Sequence, residues 1–453
     1  MIERLRQRLL APDLLRRLAH LADAAPASAP LSLSLDLGPG EENWLHLLPD
    51  QHACWYRARP KDKEYRLGIG HLLQVESCGG QRFAALDHAW SSLCRYWRHE
   101  LAARPLTFAG FAFDEQGGSP LPNALLALPA ILFESIDGHC RVTLNTLAGE
   151  RERAIGNWLQ WLAVPPTAGP RHNCGFSRPD PARDGPLADQ AWMARVKAAL
   201  RDIDAGRVDK LVLSRRRLLA SSAHCTVREV LTGLLQQQAG SLIYAFGNGQ
   251  QFFLGATPER LLWKNGCTVR ADALAGTAWP GSPGLRAGKN HHEQSLVVRA
   301  VVEALAPLCA TAPEVEAQSE QAAGRLRHLR NEICARLNPG TSVWDLVAAL
   351  HPTPAIGGYP RPAALDWLRR HDEYRGAWYS GGFGLLEGNG DGEFSVALRS
   401  ALFDAPYIEL QAGAGIVAGS QATDELAETE AKLGTLLAAL QPLTAARQQR
   451  QAG

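Results

Sequence analysis

The chain has almost no net charge. Its 47 basic and 46 acidic residues leave a formal charge of +1 over 453 residues. The broad positive field that holds a polyanion is therefore missing, which excludes nucleic-acid binding as the main task. Paired cysteines are missing too: the nine cysteines are odd in number and scattered, with no C-x-x-C pair. Neither a disulfide framework nor a zinc ribbon follows, and the thiols read as reduced. No apolar run approaches the ~20 residues of a membrane span. Residues 1–14 enter directly into an amphipathic pattern of Leu5, Leu9, Leu10 and Leu14, with no apolar signal core or small-residue cleavage site. A cytoplasmic location without a membrane partner is expected. There is no G-x-G-x-x-G after a strand and no G-K-[ST], so nucleotide phosphate binding is unsupported. Fixed-period repeats and low-complexity tracts are also absent. A small, locally recognised ligand remains.

What is present is an ordinary globular composition, 46% hydrophobic and 21% charged, long enough for one large or two ordinary domains. Leucines alternate with polar residues over 31–37, which predicts a strand, and further strands are expected over 53–59, 106–114, 130–134 and 141–147. Between 164 and 189 six prolines break every periodicity, as a linker or surface loop does. The expected division is an N-terminal β-rich structural half (1–163), the linker, a C-terminal catalytic half (190–445) and a tail (446–453). In the second half Trp192, Val196, Leu200 and Ile203 recur at helical spacing, Gly206 stands where the helix should end, and a strand follows over 208–217.

Several positions there carry chemistry. Lys210 shares a strand face with Val208, Val212 and Ser214. A lysine among apolar neighbours loses solvation, which is how an ammonium becomes a usable base, whereas an edge lysine simply snorkels to water. Glu259 follows the apolar run 252–254 at a strand-connecting turn, where it either faces a pocket or pairs with Arg260. Gly276 and Thr277 offer a backbone N–H and a hydroxyl to a carboxylate. Glu293 precedes Leu296 and Val297 by one helical turn and so projects toward the buried face; the alternative is a helix-start glutamate favoured by the dipole. Glu425, Glu428 and Lys432 fall within about 60° of one another at ~100° per residue. Like charges one turn apart repel, and a divalent cation or Lys432 relieves them; the alternative is a solvated face. Just before them, 412–420 reads as a Gly-rich turn that lets a ligand approach the backbone.

Taken in order, the strings VDKLVLSR, LGATPERL, LAGT, KNHHEQSLVV, LRHLRNEI, LHPTPAIGGYPR, RGAWYSGGFG, FSVALRSA and AGAGIVAGS…ELAETEAK resemble the chorismate-utilising enzymes, and among them the isochorismate synthases. The resemblance spans about 186–445, while the N-terminal half matches only in general pattern. It implies an α/β fold of the α+β type, two large antiparallel sheets flanked by helices, with both halves forming one compact unit. It also implies Mg²⁺-dependent conversion of chorismate to isochorismate, by water attack at C2 and loss of the C4 hydroxyl. The product would feed menaquinone or siderophore biosynthesis. Salicylate synthase, which adds pyruvate elimination, and a non-catalytic scaffold are the alternatives.

By position, Lys210 resembles the general base and Glu259 the general acid. Glu293 and Glu428 resemble Mg²⁺ ligands, with Glu425 nearby. Tyr379 and Arg399 match residues that bind the enolpyruvyl carboxylate, with Gly413 and Lys432 close to the substrate. Gly276, Thr277 and His328 match the pocket walls. Ala275 stands where aminodeoxychorismate synthases carry a nucleophilic lysine. Ala355 stands where the ammonia-using relatives carry a threonine. Water is the expected nucleophile, with no glutaminase partner, in a monomer or weak homodimer. Two departures stand out: a short stretch between Thr277 and Lys289, and Gln294 in place of a histidine.

Overall fold

A computed structural model describes residues 2–116, 119–163, 185–220, 226–282, 284–285 and 288–440. The expected tail and most of the expected linker lie outside the described residues. Residues 186–189 belong to a helix (Pro186–Asp204) instead of the linker, because Pro186 sits in its first turn, where a missing N–H costs nothing.

Among the described residues the strands form two ladders joined through one long strand, Ala124–Ile136. Its residues 131–136 pair with His139–Leu147 and its residues 124–127 with Leu106–Phe111. The first ladder continues through Glu64–Ser77, Ala53–Arg59, Leu242–Asn248, Phe252–Thr257, Ser400–Asp404 and Tyr407–Val417 to Lys210–Ala220. The second runs through Gly382–Glu387, Gly392–Val396, Arg260–Asn265 and Thr268–Ala278 to Leu326–Arg336. These pairings are antiparallel; the short contact of Pro30–Pro39 with Arg98–His99 is parallel. Early strands pair with late ones in both ladders, so the two halves of the chain share both sheets.

Trp55 and Phe246 of the first ladder pack against Phe108 and Phe383 of the second, with Trp378 between them. This aromatic layer is the centre of a sandwich, since rings bury large area and pack at preferred offsets. Helices cover the outer faces. Ala422–Leu440 and Val227–Gln237 lie over the first sheet, and Gly288–Leu305, Arg82–Tyr96 and Val343–Leu350 over the second. Capping boxes start two of them, Thr226 with Glu229 and Ser342 with Asp345, each worth about 1 kcal/mol. The fold is therefore α+β, as the resemblance implies. No helix among the described residues is long and apolar enough to cross a membrane.

Two local expectations are corrected. The strand expected over 130–134 spans Ala124–Ile136 and is buried along nearly its whole length. It accommodates Pro129 where the facing strand slips register between His71 and Leu73, the usual place for a residue without an N–H. The expected Gly-rich turn over 412–420 is the end of the strand Tyr407–Val417, and the turn itself comes at Gly419, with φ +84°. Close backbone approach, not turning, is what Gly413 and Gly415 provide there.

Candidate active site

Lys210 opens its strand with neighbours on both sides, Val417 on one and Tyr359 on the other. It has no sheet edge to escape along, so it is fully buried instead of snorkelling. Its ammonium lies 2.8 Å from Glu293 Oε1. Glycine permits this pair, because a Cβ at Gly415 would overlap Glu293 Oε1 and come within 3.0 Å of Lys210 Cε.

Glu293 occupies the second turn of Gly288–Leu305 and faces inward, which removes the helix-start alternative. Its Oε2 accepts the Gly276 N–H at 3.3 Å. Burial works to raise its pKa, but the charge of Lys210, with Lys289 and Lys432 behind it, prevails and holds the carboxyl below its usual range.

Glu259 sits in the connection between Phe252–Thr257 and Arg260–Asn265, buried, with its carbonyl accepting Val396 N–H at 3.1 Å. Arg260 turns away to Asp272 and Glu332, so the expected alternative pair does not form. Burial, and then the charge of Asp272, push the Glu259 carboxyl up to about 8 against the pull of Lys210, Arg399 and Lys432. A carboxyl so tuned keeps its proton at neutral pH and can donate it.

The helix Ala422–Leu440 places Glu425, Glu428 and Lys432 on one face, as their spacing predicts. Lys432 Nζ donates to Glu428 Oε1 at 2.6 Å and to the Gly413 carbonyl at 2.8 Å, and Thr277 Oγ1 donates to the same Glu428 oxygen at 3.2 Å. Glu425 is fully buried and pairs with Lys289. Burial and the Glu428 charge raise its carboxyl pKa against that lysine.

His328 faces Thr277 across paired strands. Its Nδ1 donates to the Gly276 carbonyl at 3.0 Å, and its Nε2 accepts from Arg399 at 3.0 Å. Burial, then the charges of Arg399 and Lys432, keep the imidazole neutral. Arg399 holds a left-handed backbone (φ +51°), as do Ala377 (+49°) and Ser380 (+54°) on either side of Tyr379. Such strain in non-glycine residues gathers where side chains must be aimed at a site. The Tyr379 hydroxyl approaches Gly413 so closely that a Cβ there would sit 2.9 Å from it.

Twelve of the thirteen candidates thus converge from both sheets; Ala355 does not join them. It packs against the apolar layer under the second sheet, on a turn whose Gly357 carbonyl accepts from Val212. Two participants went unnoticed in the sequence. Asp272 acts from the neighbouring strand. Lys289 lies four residues before Glu293, a same-face spacing that could have flagged it.

Glu293, Glu425 and Glu428 offer the all-oxygen donors that a hard divalent cation takes. One ammonium, Lys289, already feels all three, and Glu425 Oε2 is buried without a hydrogen bond. Among the described residues their oxygens are not all within 4.8 Å of one another; the set that is, Glu316, Glu332 and Cys334, has Glu332 committed to Arg260, Arg270 and Arg330. The residues fit a cation that replaces the lysine contacts.

The chain is 33% identical over 414 residues to the salicylate biosynthesis isochorismate synthase of Pseudomonas aeruginosa, covering 86% of this chain and 85% of that one. It is 29% identical over 407 residues to isochorismate synthase MenF of Bacillus subtilis, covering 83% and 84%. The solved structure of MenF, the menaquinone-specific isochorismate synthase of Escherichia coli, superposes with a TM-score of 0.76 at 24% identity, covering 94% of this chain and 99% of that one. Residues 41–441 match the family model described as chorismate binding enzyme. That match takes in both sheets and every candidate residue from Lys210 to Lys432, and the chain therefore belongs to the chorismate-binding enzyme family.

Proposed function

We propose that this protein is an isochorismate synthase, a hydroxymutase that moves the hydroxyl of chorismate from C4 to C2. One observation carries the reading: a fully buried lysine, Lys210, lies within electrostatic reach of a buried carboxyl, Glu259, that is tuned to stay protonated. That is the base and acid pair the reaction needs. Lys210 takes the proton of a water that attacks C2, and Glu259 gives its proton to the hydroxyl departing from C4.

Arg399 and Tyr379 bind the enolpyruvyl carboxylate, with Arg399 aimed by neutral His328. Gly276, Thr277, Gly413 and Lys432 line the remaining pocket. Glu293 and Glu428 would hold Mg²⁺, with Glu425 close by, and the ion would supply counter-charge for the second substrate carboxylate. Alanine at 275 and 355 leaves no lysine for covalent capture and no threonine for ammonia chemistry, which supports water as nucleophile and a free-standing enzyme without a glutaminase subunit. The division into a structural half (1–163) and a catalytic half (190–445) belongs to the same reading, since every site residue comes from the second.

The test is incubation of the purified protein with chorismate, in Mg²⁺ and in EDTA, followed by chromatography. Isochorismate formed in Mg²⁺ alone is expected. Salicylate with pyruvate would replace the proposal by salicylate synthase, and no consumption in either condition would replace it by a scaffold role.

A further inference from the structure

A cavity of about 510 Å³ shares no lining residue with the candidate active site. Its volume suits a small organic ligand. Four arginines line it; Arg369 is exposed, and each of the other three is bound only to neutral acceptors. Arg82 donates to the Phe113 and Asp114 carbonyls and to Asn123 Oδ1. Arg361 donates to the Ala349 and His351 carbonyls, and Arg375 to the Val212 carbonyl and Ser380 Oγ. Among the described residues none of the three has a carboxylate within ion-pair distance, although charged groups this buried are normally paired.

The lining carboxyls make no ion pair with these three arginines, although Asp114 and Glu115 act on Arg82, and Asp114 on Arg375, through space. Glu373 is taken by Arg195 and by the Ser214 N–H, while Asp114, Glu115 and Asp372 are exposed at the rim. The three guanidinium groups converge on His351, whose pKa burial and then their charges depress. With Nε2 donating to the Phe113 carbonyl at 3.2 Å, its Nδ1 is left as a buried acceptor without a partner. Aromatic faces complete the cavity: Arg82 stacks on Phe83 at 4.6 Å and Arg375 on Phe113 at 4.1 Å.

We propose that this cavity is a second binding site, for a small aromatic carboxylate whose anionic group lies among Arg82, Arg361 and Arg375 and whose ring packs on Phe83 and Phe113. Guanidinium groups match a carboxylate by paired N–H donors, and the phenyl walls favour a ring over a bare oxyanion. Arg375 also donates to the Val212 carbonyl, two residues along the strand from Lys210, which ties the cavity wall to that strand.

Calorimetric titration of benzoate into the full-length protein tests this. Arg399→Ala, which disables carboxylate binding in the candidate active site, should bind benzoate as the unaltered protein does. Arg361→Gln and Ala348→Trp should each weaken it by about tenfold or more, the loss of one charge-assisted contact or of the space for the ring. Should Arg361→Gln fail to fold, Ala348→Trp carries the test, because Ala348 is exposed and every arginine is kept. Inorganic phosphate should bind at least about tenfold more weakly than benzoate. Absence of benzoate binding overturns the proposal. So does binding that Arg399→Ala abolishes and Arg361→Gln leaves intact, and so does phosphate binding as tight as that of benzoate.

Discussion

Two regions of this molecule bury charge, and they do so in opposite ways. Where the sheets join, Arg57 pairs with Glu393 at 2.5 Å and Glu64 at 3.3 Å, Arg59 meets the same two carboxylates, and Arg66 links Glu64 to Glu134. Every carboxylate but Glu134 there has at least two guanidinium partners. Burial works against Glu64 and Glu393, yet the arginines outweigh it, holding Glu64 well below the usual range and Glu393 below it. In the candidate active site Glu293, Glu425 and Glu428 each pair with a single lysine, and Glu259 has no cation within pairing distance. Burial prevails over that carboxyl and raises it. The forked, always-charged guanidinium makes a permanent bolt, whereas a point-charge ammonium on a flexible stem can exchange its partner for a metal, a substrate or a proton. Similar burial thus yields a fastener in one place and a reactive centre in the other.

Breaking each region separately should separate stability from turnover. The largest effect is expected from Lys210→Ala, which should lower kcat by ~10²–10⁴, the usual worth of a general base, while circular dichroism and the melting temperature show a folded protein. Near-normal turnover in that variant would remove the base from the mechanism. Glu393→Gln should do the reverse. It leaves Arg57 and Arg59 short of charge in a dry junction and should cost about 3–5 kcal/mol in urea unfolding, with kcat of the folded protein unchanged. A loss under about 1 kcal/mol, the level of an exposed pair, would mean that the junction is no bolt.

A smaller effect is expected at the carboxylates held by single lysines. Glu428→Gln removes one candidate metal ligand and keeps the shape, so the Mg²⁺ concentration for half-maximal activity should rise by roughly tenfold or more, the scale of losing one charge-assisted contact. An unchanged requirement in a Mg²⁺ titration would take Glu428 out of the metal site.

How much of this was legible in the sequence follows from which interactions are local. Alternation over 31–37 and the pattern over 53–59 predict strands that the structure contains as Pro30–Pro39 and Ala53–Arg59. The strand Ala124–Ile136 was only partly legible, because it is apolar on both faces and has no period to read. Glu293 and the Glu425, Glu428, Lys432 face were readable because helical spacing alone sets their direction. The Lys289–Glu425 pair spans 136 residues of sequence, and no local pattern encodes it. The same holds for Asp272 acting on Glu259, and for the left-handed backbone of Arg399, which depends on Gly255: a Cβ there would lie 2.8 Å from the Arg399 carbonyl oxygen.

The pH dependence of turnover sharpens the contrast with the least perturbation. Glu259 titrates at about 8 in the folded protein, above its ordinary 4.5, so it is protonated at neutral pH and loses its proton as pH rises through about 8. If it is the acid, kcat/KM should be level near neutrality and fall about tenfold per pH unit above that value. Folding feels the same shift: between pH 4.5 and about 8 the unfolded chain has released a proton that the native state keeps, so stability declines across that window. Burial is the larger cause and Asp272 the next. Asp272→Asn removes the negative charge and should move the basic limb to lower pH without abolishing it. A limb that stayed in place, or moved upward, would show that some other group is titrating. Glu259→Gln should remove the limb along with most of the activity, whereas Glu64→Gln, in the arginine network, should leave the profile unchanged because its carboxyl is already ionised far below this range.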